Sequence, residues 1–101
     1  MLKIKTKTNM KTKPEVTTVV EVANEGLISL LNENVLVMCM NYFYFGKLIG
    51  VNDTCIKLEK AHIIYETGAF SDKLFKDKQF VSDEMYIQTS SIESFHKTGK
   101  I

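Results

Sequence analysis

A chain of 101 residues has room for one domain, and a domain of that size buries only about 60 to 70% of the surface that its unfolded chain exposes, so any core is small. Hydrophobic residues at 45% and charged residues at 25% are ordinary globular values that argue against disorder, and no apolar run reaches the roughly 18 residues of a membrane span. The formal charge of +1 conceals an asymmetry: Lys3, Lys5, Lys7, Lys11 and Lys13 place +5 in the first thirteen residues without an acid, leaving eight lysines against twelve acids in the rest.

All thirteen basic residues are lysine, so the planar fork with which arginine grips phosphate and stacks on bases is missing, while charge attraction remains. No apolar h-region follows the first lysines, and a cytoplasmic location is expected. Residues 1–14 read as a basic N-terminal arm and 15–101 as a single β domain. Two readings of the arm stay open. It is a solvated terminus, or it adds a strand to a neighbouring subunit or reaches toward phosphates. Val16 to Val22 is β-branched and reads as an extra strand.

Gly26 to Asn32 carries Leu27, Ile28, Leu30 and Leu31 at helical spacing, with Asn24 as N-cap, and predicts a short N-terminal helix. Val35 to Met40 is apolar without a break, as in a strand covered on both sides or at a subunit contact. In Tyr42 to Phe45 alternation sends Phe43 and Phe45 to the core and Tyr42 and Tyr44 outward. The outward pair suits a subunit contact, base or ligand stacking, or plain exposure. Gly46 and Gly50 mark places where a barrel strand bends. Asn52 and Asp53 form a turn into Thr54 to Leu58, and Ala61 to Tyr65 reads as a third strand. Cys39 and Cys55 fall inside strands and read as buried thiols.

Beyond Thr67 and Gly68, Ala69 to Phe75 offers an apolar stripe on a short helix or ordered loop, and Lys76 to Lys78 reads as an exposed turn. A short strand at Phe80 and Val81, a turn at Ser82 and Asp83, a strand from Met85 to Thr89, a turn at Ser90 and Ser91 and a strand from Ile92 to Phe95 follow. His96 to Lys100 reads as a polar tail. The expectation is an all-β fold, a small, strongly bent five-stranded barrel with one or two short helices.

His62 and His96 are the only histidines, and neither stands at a metal-ligand spacing from Cys, Asp or Glu. Nucleophile motifs and phosphate-cradling glycine loops are missing as well. The reading is a protein that is not an enzyme and carries no metal and no cofactor.

The expected helix, Val35-Leu36-Val37, Gly46-x-Leu48, the turn at Asn52 and Asp53 and Leu58-x-x-Ala61 together resemble the first motif of Sm-like proteins, over about 30 residues. The resemblance implies an Sm-like or SH3-like barrel that closes into rings and takes single-stranded RNA at its turns. The stretch from Asn52 to Leu58 is shorter than that family's loop and lacks its Met-Asn pair. Tyr86 to Ile92 stands where the family has Ile-Arg-Gly, without a basic residue, so the RNA site is not carried over.

The order Val35-Leu36-Val37, Phe45-Gly46-x-Leu48, Ile56-x-Leu58, Lys60 to Tyr65 and Gly68-Ala69 is also similar to a family of small phage and prophage domains of unknown function. This chain lacks that family's paired arginines after the alanine. The likeness implies viral origin and action in a bacterial cytoplasm, with no known enzymology, and the want of a long apolar run leads to the expectation of no membrane partner. The leading expectation is a phage-encoded homo-oligomer that takes a nucleotide-type ligand between subunits, to sequester a host defence signal, through Tyr42, Tyr44, Lys60, His62 and Tyr65. An Sm-like ring for single-stranded RNA and an inhibitor that docks on a host protein are the alternatives.

Overall fold

The computed structural model describes residues 25–101. The basic arm, the strand expected at Val16 to Val22 and the cap expected at Asn24 lie outside them. Five strands form one antiparallel sheet: β1 (Asn34–Cys39), β2 (Phe43–Val51), β3 (Cys55–Glu66), β4 (Asp77–Gln88) and β5 (Ile92–Lys97), in the order β4-β3-β2-β1-β5. Met85 and Ile87 from one edge strand and Ile92 and Phe95 from the other meet in a single core cluster, so the sheet curls on itself into the expected small barrel.

Of the short helix expected over Gly26 to Asn32, the described residues contain a 3-10 turn, Leu27–Leu30. Gly26 enters it at φ 75° and Asn32 leaves it at φ 72°, so the chain reverses on either side of four residues. Asn32 N–H then donates to the Leu48 carbonyl at 2.6 Å, which fixes the turn across the barrel end while Leu27 and Leu30 pack on the core.

The bend of the barrel is built at Lys60. β2 and β3 pair Phe45 with His62 and Lys47 with Glu59, so Gly46 faces two residues of β3, one more than the ladder needs. Lys60 takes up the extra length at φ 55°. A Cβ on Gly46 would stand 2.9 Å from the Glu59 carbonyl oxygen, which is why glycine is required opposite the bulge. The two strands expected at Thr54 to Leu58 and Ala61 to Tyr65 are therefore one bent strand. β4 follows the same curve with its own irregularity, between the pairs Ala61 with Ser82 and His62 with Phe80. Phe80 to Thr89 is likewise a single strand up to Gln88, because twelve residues of β3 supply it with partners along its whole length. Asp77 and Lys78 belong to its start and not to a turn.

The sheet is apolar on both faces. Val35, Val37, Cys39, Leu48, Ile56, Leu58, Ala61 and Ile87 fill the inside of the barrel. Leu36, Phe45, Ile64 and Phe75 form a second cluster on the outer face, with Met38 and Phe43 beside it. Val35, Leu36 and Val37 are fully buried, as an unbroken apolar strand covered on both sides requires. Tyr44 differs from its expected outward position: it packs against the inner cluster, and Phe45 belongs to the outer one.

The outer cluster is closed by residues 67–76, an ordered loop and not a helix, and by the last residues of the chain. Lys100 Nζ donates to the carbonyls of Ala69 at 2.8 Å, Asp72 at 2.7 Å and Leu74 at 3.2 Å, so all three ammonium protons are used. Phe75 N–H donates to the Ile101 carbonyl and Ile101 N–H to that of Lys73, each at 2.9 Å. The stretch read as a polar tail thus contains the end of β5 and a buried clasp.

Candidate nucleic-acid interface

Two turns meet at one rim of the barrel. Between β2 and β3, Asn52 Oδ1 accepts from Thr54 N–H at 2.8 Å, Cys55 N–H at 2.9 Å and Thr54 Oγ1 at 3.1 Å. The amide oxygen is thereby spent on its own turn. The connection between β4 and β5, a 3-10 turn over Thr89–Ser91, is tied to it: Thr89 N–H donates to the Thr54 carbonyl at 2.9 Å, and Thr89 Oγ1 to that of Asp53 at 3.0 Å. Asp53 is the one charged residue of these two turns, so the rim offers polar edges and no attraction for phosphate.

Beside the second turn opens a cleft of about 610 Å³, whose lining includes Cys39, Tyr42, Tyr44, Gln88, Ser90 and Glu93. The Tyr42 and Tyr44 rings stand edge to face, 6.3 Å between centroids. Burial, and then the charge of Glu93, push the Cys39 thiol above its usual range. Burial pushes the Tyr44 phenol up as well, followed by Cys39 and Tyr42. At neutral pH the thiol and the phenol are both protonated, and Glu93 is the only formal charge in the lining. The cleft therefore suits a planar, uncharged group better than a phosphate.

The five residues singled out in the sequence do not converge. Tyr42 and Tyr44 share the cleft. His62 stands on the opposite face of the sheet, with its ring 6.0 Å from Phe45 and 5.5 Å from Phe80. Its Nδ1 lies 2.9 Å from the Lys60 carbonyl, an acceptor only, so Nδ1 carries the proton and Nε2 is left without a partner among the described residues. Lys60 sits at the bulge and pairs with Asp83 at 3.1 Å, both side chains largely exposed. Tyr65 is exposed and donates its hydroxyl to Gln79 Oε1 at 3.2 Å.

Two residues that the sequence reading passed over belong with His62. Phe80 is 50% exposed, and Lys78 Nζ lies 5.9 Å from the centre of the Phe45 ring. Reading 77–88 as one strand is the signal that brings them together, since alternate residues then share a face. Farther along β4, between the inward Met85 and Ile87, Tyr86 is exposed, with Lys57 Nζ 5.5 Å from the centre of its ring. Lys57 also pairs with Glu84 at 3.2 Å, and that hydrogen bond and charge, with a smaller part from Tyr86, raise its pKa. Among the described residues no three His, Cys, Asp or Glu side chains gather as a metal site, and no helix is long and apolar enough to cross a membrane.

No protein-family profile and no curated protein matches the chain. Among solved structures it is similar to the Sm protein of Pyrococcus abyssii, determined in complex with a uridine heptamer. The TM-score is 0.51 at 19% identity, over 70% of this chain and 90% of that one. At that identity the likeness is one of fold, and the five antiparallel strands curl into an Sm-like barrel.

Proposed function

We propose that this protein binds single-stranded RNA as an Sm-like subunit that assembles with copies of itself along its two sheet edges, β4 and β5. The observation that carries the reading is the fold shared with an Sm protein solved with a uridine heptamer. Two features support it. Among the described residues both edge strands have one side of backbone groups without a strand partner, the usual template for pairing with another chain. Residues 25–101 hold eight lysines against ten acids, so most of the phosphate attraction falls to the five lysines of the first thirteen residues.

The test is binding of a uridine heptamer by fluorescence anisotropy across a salt series. Affinity falls with salt, and deleting residues 1–13 makes the log–log slope shallower by roughly 0.7 for each phosphate that the arm neutralises. A full chain that leaves the heptamer free at low salt contradicts the reading.

The cleft beside Tyr42 and Tyr44 supports a second reading, in which the protein takes the base of a nucleotide-type ligand there and leaves its phosphate in solvent. It predicts a thermal shift with a mononucleotide that Tyr42→Ala abolishes. A flat response across a nucleotide panel removes it.

A further inference from the structure

Phe75, Phe45, His62 and Phe80 form a continuous row of rings over the outer face of the sheet. Centroid separations along it are 5.0 Å, 6.0 Å and 5.5 Å. The row begins under the 67–76 loop, where Phe75 is 6% exposed, and ends in the open at Phe80, on an edge strand. Phe80 is 50% exposed, so the row of rings ends with one aromatic face open to solvent. Its neighbours have polar capacity to spare. His62 Nε2 has no hydrogen-bond partner among the described residues, and Lys78, two residues from Phe80 on the same face, has no carboxylate partner among them either.

Aromatic faces beside an unpaired lysine are what single-stranded nucleic acid requires: the ring stacks a base of any sequence, and the ammonium meets the adjoining phosphate. We infer that Phe80, His62 and Lys78 form a base-stacking station for single-stranded RNA on the outer face of the barrel, apart from the rim of turns and from the tyrosine cleft. The inference rests on the RNA-binding reading above. One base lies on the open face of Phe80, His62 Nε2 accepts a hydrogen bond from its edge, and Lys78 takes the phosphate. Strand pairing between subunits uses the backbone edge of β4, whereas these side chains stand on its face, so the two uses do not compete.

The chain contains no tryptophan, so Phe80→Trp introduces a lone tryptophan at the station, which is excited selectively at wavelengths where the four tyrosines do not absorb. Its emission is quenched on adding a uridine heptamer, at the concentrations that bind the unaltered protein. Phe80→Ala weakens heptamer binding about ten-fold with the salt slope unchanged, and Lys78→Ala makes the slope shallower by roughly 0.7. Should Phe80→Ala fail to fold, Phe80→Leu keeps the apolar bulk without the ring and carries the same expectation.

If the unaltered protein binds the heptamer and all these variants bind it equally well, with no quenching, the station is wrong and the RNA-binding reading stands. If the unaltered protein does not bind, both fall. A change in subunit number on Phe80→Ala, with heptamer bound per subunit unchanged, assigns the ring to an interface between copies and overturns the station.

Discussion

Lys100 is the residue whose environment differs most from its sequence context. It closes a polar stretch, yet it is 4% exposed, with three carbonyls on its ammonium and the Phe75 ring 5.3 Å from it. Lys100→Met keeps the stem and leaves those carbonyls without a donor, so it lowers stability by about 2 kcal/mol. A thermal melt shows this as a fall of order 10 °C; an unchanged melt shows that the ammonium is dispensable. Three further groups make the fold sensitive to alkali. Cys39 and Tyr44 have raised pKa values because burial disfavours their anions, and Lys57 because Glu84 favours its cation. A pKa raised in the folded state means that stability is fully present below the ordinary value and falls as pH rises through the shifted one. Urea melts are therefore flat from neutrality to the ordinary thiol value of 9.0 and decline above it, and Cys39→Ala reduces the first part of that decline.

At the scale of elements the bend between β2 and β3 organises the barrel. Gly46→Ala forces a Cβ against the backbone oxygen of Glu59, which cannot retreat without opening the ladder, and costs about 2 kcal/mol in a denaturant melt. Lys60→Gly acts in the opposite direction. It relieves a left-handed residue at a cost of an exposed ion pair, so stability rises by up to about 1 kcal/mol or stays level, and a loss larger than that contradicts the account of the bulge. These two positions also explain what the sequence reveals and what it hides. Gly46 is legible, because a glycine in an aromatic strand signals a bend. Lys60 is not, since a lysine carries no mark of positive φ, and β3 therefore reads as two strands. β4 reads as two for a similar reason: Ser82 and Asp83 are turn residues, yet the partner strand holds them extended. Val35 to Cys39 is read correctly because burial on both faces leaves an unbroken apolar run.

The candidate site divides in the same way. Tyr42 and Tyr44 are near in sequence, and their shared cleft is legible in part. The partnership of His62 with Phe80 depends on the pairing of β3 with β4, which spans eighteen residues of chain and which local periodicity does not encode. The lysine clasp depends on the fold of a loop some thirty residues earlier.

For the whole molecule, the separation of charge and the open edges point the same way. A barrel with more acids than bases, a basic segment before it and two edge strands without a strand partner among the described residues fit the proposed subunit, which meets copies of itself through backbone and RNA through charge and rings. Native mass spectrometry of the full chain, with a uridine heptamer added at low salt, tests this most directly, because one spectrum reports subunit number and bound RNA. The account predicts a closed oligomer that carries the heptamer and releases it as salt rises. A monomer without bound RNA contradicts it.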